Sequence, residues 1–182
     1  VHEGAADFGL VSFPRRLREL DVEPWREEEM VLACPPDHPL AGLDAVAPAR
    51  LAGVKYVAFV KGLTIRREVD RFLREQGVSV EIAHEFDTIE NIKEGVKVGA
   101  GVALLPAPTI RLEVRAGTLK SVPLAGSRFV RPIGVIRRRQ HKPGAAALHF
   151  LELLREVGDH DRPGNGRASP PNGKPRAAGR TR

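Results

Sequence analysis

Two short polar clusters in this chain have the residue types to hold a small anionic or polar molecule. The first is Lys61-Gly62-Leu63-Thr64, an ammonium, a flexible glycine and a hydroxyl just ahead of a helical pattern. The second is Asp87-Thr88, just ahead of another, with Glu90 three positions after Asp87 as a capping box requires. Backbone N–H groups at a helix start, joined by a hydroxyl and an ammonium, suit a carboxylate or phosphate. The same residues also suit plain capping: Thr64 and Asp87 can each accept from a first-turn N–H, and Lys61 can be a solvated loop lysine. Arg66 and Arg67 stand in the first turn of the helix after Thr64, where positive charge opposes the helix dipole. Arg66 is the anion candidate of the two, with a solvent-facing side chain as the favoured reading.

Other chemistries find no residues. The six histidines show no metal-ligand spacing beside acids or thiols, so neither metal nor cofactor is expected. No Ser-His-Asp elbow or Walker loop occurs. Gly99-Ala100-Gly101 precedes a strand pattern, whereas a dinucleotide fingerprint follows one. Cys34 is the only cysteine and lies in an apolar run, as a core residue would. With no acid–base pair in view beyond Asp87, the chain does not read as an enzyme.

The elements that must position these clusters follow from hydrophobic periodicity. Tyr56–Val60 is a buried-type strand, and Ile65, Val69, Phe72 and Leu73 form the apolar stripe of the next helix, which Gly77 stops. Val78–Phe86 leans to β. Ile89, Ile92 and Val96 share one face of a second helix, opposite Glu90, Lys93, Glu94 and Lys97. Gly99 and Gly101 then let the chain reverse into Val102–Leu105, a continuous apolar run closed by Pro106. Upstream, Phe8–Val11 and Glu29–Cys34 read as strands, Pro14 as the start of a short helix through Leu20, and Pro35–Pro39 as a crossover. Downstream come a helix over Thr109–Ala116, strands over Leu119–Pro123 and Ile133–Arg137, and a last helix over Gly144–Val157. Ala147, Phe150, Leu151, Leu154 and Val157 are expected inward on it. Strands alternating with helices predict an α/β fold with a parallel or mostly parallel sheet.

Net charge is +6, but residues 159–182 carry six Lys/Arg against two Asp, so the rest is only about +2. That is too mild to argue for a nucleic-acid surface. The segment 159–182 is rich in Gly, Pro, Asn and Arg and is expected to be a disordered basic tail. Arg137-Arg138-Arg139 with His141-Lys142 reads as a solvated strand end, with DNA contact as the alternative. No apolar run is long enough to span a membrane. No secretory signal opens the chain, which starts at Val1 rather than Met, and a cytoplasmic setting is expected.

Several segments, in order, resemble the effector-binding domain of LysR-type transcriptional regulators. Gly4-x-x-Asp7-Phe8-Gly9-Leu10-Val11 is similar to the family's G-x-x-D-hydrophobic strand, and His38-Pro39-Leu40-Ala41 to its HPLA segment. Gly62-Leu63-Thr64 resembles its cleft loop, and Val98–Pro106 its glycine-hinged strand. Pro143–Leu154 resembles its closing helix, with Gly144 where alanine is usual. The resemblance covers residues 1 to 157. It implies a two-lobed, periplasmic-binding-protein-like (type 2) fold: lobe I from 1–34 plus 138–157, lobe II from 36–135. It also implies that the family's winged helix-turn-helix and the first elements of lobe I lie outside this chain, leaving lobe I incomplete. An effector between the lobes would meet Ser12 and Phe13 from lobe I, and Lys61, Gly62, Thr64, Asp87 and Thr88 from lobe II. Partners would be a small anionic or polar metabolite, a second copy or three in the intact regulator, and DNA only through the absent domain. A solute-binding protein of a transport system shares the fold and is the alternative.

Overall fold

A strand of fifteen residues, β2 (Leu20–Cys34), runs from one half of the domain into the other. Its first half hides from pattern reading because Asp21, Glu23, Arg26, Glu27, Glu28 and Glu29 interrupt the apolar residues. What makes it a strand is its partner β7 (Val130–Arg138), which runs antiparallel to it from Leu20↔Arg138 to Glu29↔Val130. The ladder slips once, between Pro24 and Arg26, where a residue without an N–H can be left out of the pairing. β1 (Phe8–Ser12) joins the other edge of β7.

In its second half β2 exchanges partners. β5 (Ala103–Pro106) lies antiparallel to it on one side and β6 (Lys120–Val122) on the other. β3 (Lys55–Phe59) meets β5 through the parallel bridge Tyr56↔Val102, and β4 (Glu81–Phe86) pairs with β3 in parallel. Among the described residues four helices cover these strands: α1 (Thr64–Glu75), α2 (Ile89–Lys97), α3 (Arg111–Arg115) and α4 (Ala145–His160). Single 3-10 turns occupy Pro48–Leu51 and Ala107–Ile110. The computed structural model describes residues 1, 6–15, 17–140 and 143–160. The tail beyond 160, Gly4 and His141-Lys142 lie outside the described residues.

The expectation of a mostly parallel sheet is therefore corrected. β1–β7, β2–β7, β2–β5 and β2–β6 are all antiparallel, and β3–β4 is the parallel ladder. The reason is topological: β2 carries the chain out of one half of the molecule and β7 carries it back, so the two must run in opposite directions. The expected helix from Pro14 is also not formed. Leu20 N–H instead closes a turn onto Leu17 O at 3.2 Å, and Leu17 is left exposed with no face to bury. Residues 35–41 fold as successive turns, with His38 N–H to Pro35 O and Ala41 N–H to His38 O, and deliver Leu40 into the core.

The core of the larger half has two sides, sorted by the two-residue period of its strands. Met30, Leu32, Cys34, Tyr56, Ala58, Val102 and Leu104 face α1, where Val69, Phe72 and Leu73 meet them. Val31, Ala33, Val57, Phe59, Ala103 and Leu105 face α2, where Ile92 and Val96 meet them. Gly101 makes the junction of β3 and β5 possible. A Cβ there would stand 2.6 Å from Lys55 O, in the path of the bond by which Val102 N–H reaches that same carbonyl. The smaller half is thinner. Leu151 of α4 is buried, but Phe150 and Val157, expected inward, are exposed. Phe150 stacks on Phe8 of β1, with ring centroids 5.6 Å apart.

Candidate functional site

Because β3 and β4 are parallel with Phe59 opposite Phe86, their C-terminal ends open side by side. Val60 N–H donates to Phe86 O at 2.9 Å and closes the pair. The two polar clusters leave from this one edge. Lys61-Gly62-Leu63 leads into α1 and Asp87-Thr88 into α2, so two helix starts stand together at the carboxyl ends of neighbouring strands, a recurrent place for ligands in α/β folds. Lys61, Gly62, Asp87 and Thr88 are exposed there and Thr64 is half-buried. Gly62 has φ +99° with nothing within 4 Å of a would-be Cβ, so only the backbone conformation, not space, demands glycine.

The caps differ from expectation. Thr88, not Asp87, caps α2: its Oγ1 accepts from Asn91 N–H at 3.2 Å. Asp87 stands one residue outside, its carboxylate left for solvent or a ligand. Thr64 does not cap α1 either. The cap position is Leu63, with no side-chain bond, and Thr64 is the first helical residue. Its Oγ1 accepts from Arg67 Nη2 at 3.0 Å, while Arg67 Nη1 donates to Gly62 O at 3.0 Å. Arg67 thereby clips the loop, and its exposed guanidinium brings a positive charge to the helix start.

Arg66 lies beneath. It neither faces solvent nor awaits an anion: it is buried, its Nε donating to both Asp70 oxygens at 2.9 and 2.8 Å and its Nη1 to Glu85 at 2.5 Å and to Phe59 O. Burial works against its charge, but the bonds to Glu85 and Asp70 outweigh this and hold its pKa above the ordinary value. The Arg66 bond in turn holds the Glu85 carboxyl below the usual range, and nearby Lys61 adds to that. Arg66 thus ties the end of β3 to the end of β4 and fixes the floor of the edge.

Ser12 and Phe13 stand elsewhere. Ser12 is exposed at the end of β1. Phe13 has φ +50°, uncommon for a side-chain-bearing residue, and its N–H donates to Pro132 O at 2.8 Å. It lines a cavity of about 310 Å³ with Glu68, Arg71 and Phe72, on the middle turns of α1 rather than at its start. The structure thus gathers Lys61, Gly62, Thr64, Asp87 and Thr88 at one edge and brings Phe13 to the flank of α1.

One cluster was not foreseen. Where β2 and β7 cross between the halves, the buried Glu28 carboxylate receives Arg26 at 2.5 Å and Arg131 Nε at 3.0 Å, while Arg26 lies 4.3 Å over the Trp25 ring. In sequence, Arg26-Glu27-Glu28-Glu29 reads as a solvated charge run. Its one signal is the alternation that puts Glu28 on the opposite face from Glu27 and Glu29.

Two α/β halves joined by a pair of crossing strands, with helix starts gathered at the larger half's strand ends, define a domain of the type 2 periplasmic-binding-like class. The chain belongs to the LysR substrate binding domain family, whose profile matches residues 1–159. A RuBisCO operon transcriptional regulator from Allochromatium vinosum is 30% identical over 154 residues, 85% of this chain and 51% of that protein. The chain thus spans about half the length of the relatives it matches. Among solved structures, the CcmR regulatory domain of Synechocystis PCC6803 in complex with 2-PG superposes with TM-score 0.79 at 22% identity, over 88% of this chain and 77% of that one. The effector-binding domain of QuiR with shikimate gives TM-score 0.76 at 18% identity, over 88% and 75%. Family membership and these relatives favour a regulator's effector-sensing domain over a solute-binding protein of a transport system.

Proposed function

We propose that the edge formed by Lys61, Gly62, Thr64, Asp87 and Thr88, together with Ser12 and Phe13 across the crossing strands, takes a small anionic or polar metabolite without reacting with it. The observation that carries this is the pairing of two helix starts at adjacent parallel strand ends, with Lys61 and Arg67 supplying positive charge. Two structural neighbours, CcmR in complex with 2-PG and QuiR in complex with shikimate, hold small molecules, and shikimate is a small carboxylate. We divide the domain into lobe I (1–34 with 138–157) and lobe II (36–135), with β2 and β7 shared between them. Ligand contacts made by both lobes favour their closure, and a ligand shifts that equilibrium only by its differential affinity for the closed form. We assign DNA binding to the part of the longer regulator outside this span, and place the regulator in the cytoplasm as a dimer or tetramer. Among the described residues no helix is long and apolar enough to cross a membrane.

The test is a thermal-shift and calorimetric screen of small organic acids and phosphates, beginning with 2-PG and shikimate, on the wild type and on Thr64→Ala and Lys61→Gln. A hit is expected to bind at least about five-fold more weakly to each variant, the loss of one hydrogen bond or ion pair to a charged ligand. Equal affinity in both variants would remove this edge from the site.

A further inference from the structure

A second cavity lies along the crossing strands, away from the β3/β4 edge. It is an open groove of about 810 Å³, within the range of small-molecule sites. Pro14, Pro24 and Trp25 line it from one end and Leu124, Ser127 and Arg128 from the other. Between them run Glu27, Glu29, Val130 and Pro132 on one face of the β2–β7 ladder, the face opposite Glu28 and Arg131.

Its walls are held in advance. Trp25 Nε1–H donates to Leu154 O of α4 at 2.7 Å, which fixes the indole. Arg26 is stacked on that ring and anchored by buried Glu28. Four charged side chains line it: Arg26, already held by Glu28, and Arg128, Glu27 and Glu29. Arg128 pairs with Glu27 at 2.5 Å, and both side chains are more than half exposed, so the pair is weak and easily parted. A ligand of one sign would pair with one member only. A zwitterion can enter between them, its carboxylate to Arg128 and its ammonium to Glu27 with Glu29 beside it, while an apolar body rests on the prolines, Val130 and the indole.

We propose that this cavity is a second ligand site, for a free α-amino acid with an apolar side chain. It draws its lining from both ends of the crossing strands, so its occupancy depends on the angle between the lobes. A ligand here and an effector at the β3/β4 edge are therefore thermodynamically coupled.

Trp25 is the only tryptophan of the chain, so its emission reports on this wall directly. L-Leucine is titrated into the full chain to about 20 mM, followed by fluorescence and by calorimetry. Isocaproate, which lacks the ammonium, and isoamylamine, which lacks the carboxylate, serve as the comparison ligands. A saturable response to L-leucine is expected, with both comparison ligands at least about ten-fold weaker. Arg128→Gln and Glu29→Gln, both surface substitutions, are expected to weaken L-leucine several-fold, and Thr64→Ala to leave it unchanged. No saturable signal by either method would overturn the site. So would comparison ligands that match L-leucine, an unchanged affinity in both cavity variants, or a response abolished by Thr64→Ala.

Discussion

Arg66 occupies a helix start, where a cation is opposed by the dipole, yet its role is internal. Three acceptors on two strands and its own helix converge on one guanidinium, a geometry that a lysine cannot reproduce. Arg66→Ala is expected to lower stability by about 2 kcal/mol, measured by urea unfolding, because the half-exposed Asp70 and Glu85 can rehydrate but the Phe59 carbonyl cannot. The depressed Glu85 carboxyl has a definite sign of pH dependence. Its stabilisation is complete above its unfolded-state pKa and is lost as pH falls through the lower folded value. The stability gap between wild type and Glu85→Gln should therefore shrink on acidification; a gap that is constant across the acid range would show that the Arg66 bond does not hold this carboxylate. Burial pushes the Cys34 thiol up to about 11, so it should resist a thiol-specific disulfide reagent at neutral pH until the chain unfolds.

Two helix starts in the same edge are built differently, and that difference is testable by element. α2 has a true cap in Thr88, whereas Asp87 makes no cap bond to the helix. Thr88→Ala should cost about 1 kcal/mol and Asp87→Ala should fall within about 0.5 kcal/mol of wild type, by thermal or chemical melting. The reverse order would restore Asp87 as the cap. For β5, the tight point is Gly101. Gly101→Ala forces a methyl to 2.6 Å from Lys55 O, so the β3–β5 junction must open, and a loss above about 2 kcal/mol is expected. The helix signal around Ile89–Val96 and the glycine-hinged strand after it were legible in sequence because their periods are local. β2 was legible only over Glu29–Cys34, since its first half is a strand by virtue of β7, a hundred residues away.

At the scale of the whole molecule the two halves are unequal. The larger has buried side chains on both faces of its strands. The smaller leaves Leu10, Leu148, Phe150, Leu153 and Val157 exposed around β1 and α4. What holds α4 is mainly buried Leu151, the Trp25 bond to Leu154 O and the bidentate Arg155–Glu23 pair at 2.9 and 2.8 Å. Few buried contacts mean a low local opening free energy. Amide hydrogens of residues 8–12 are expected to exchange much faster than those of 103–105. Equal protection in the two strands would show that the smaller half is as stable as the larger.

The order of its motifs along the chain was enough, by itself, to indicate the family, the α/β class and the residues at the strand exits, because glycine hinges, apolar stripes and short polar clusters are properties of neighbouring residues. The antiparallel crossing of β2 and β7, the inward turn of Arg66, the clasp of Arg26 and Arg131 on Glu28, and the place of Phe13 against α1 were decided only in three dimensions. Each depends on a partner far away in sequence, and a charged residue looks the same in a sequence whether water or another chain segment will neutralise it.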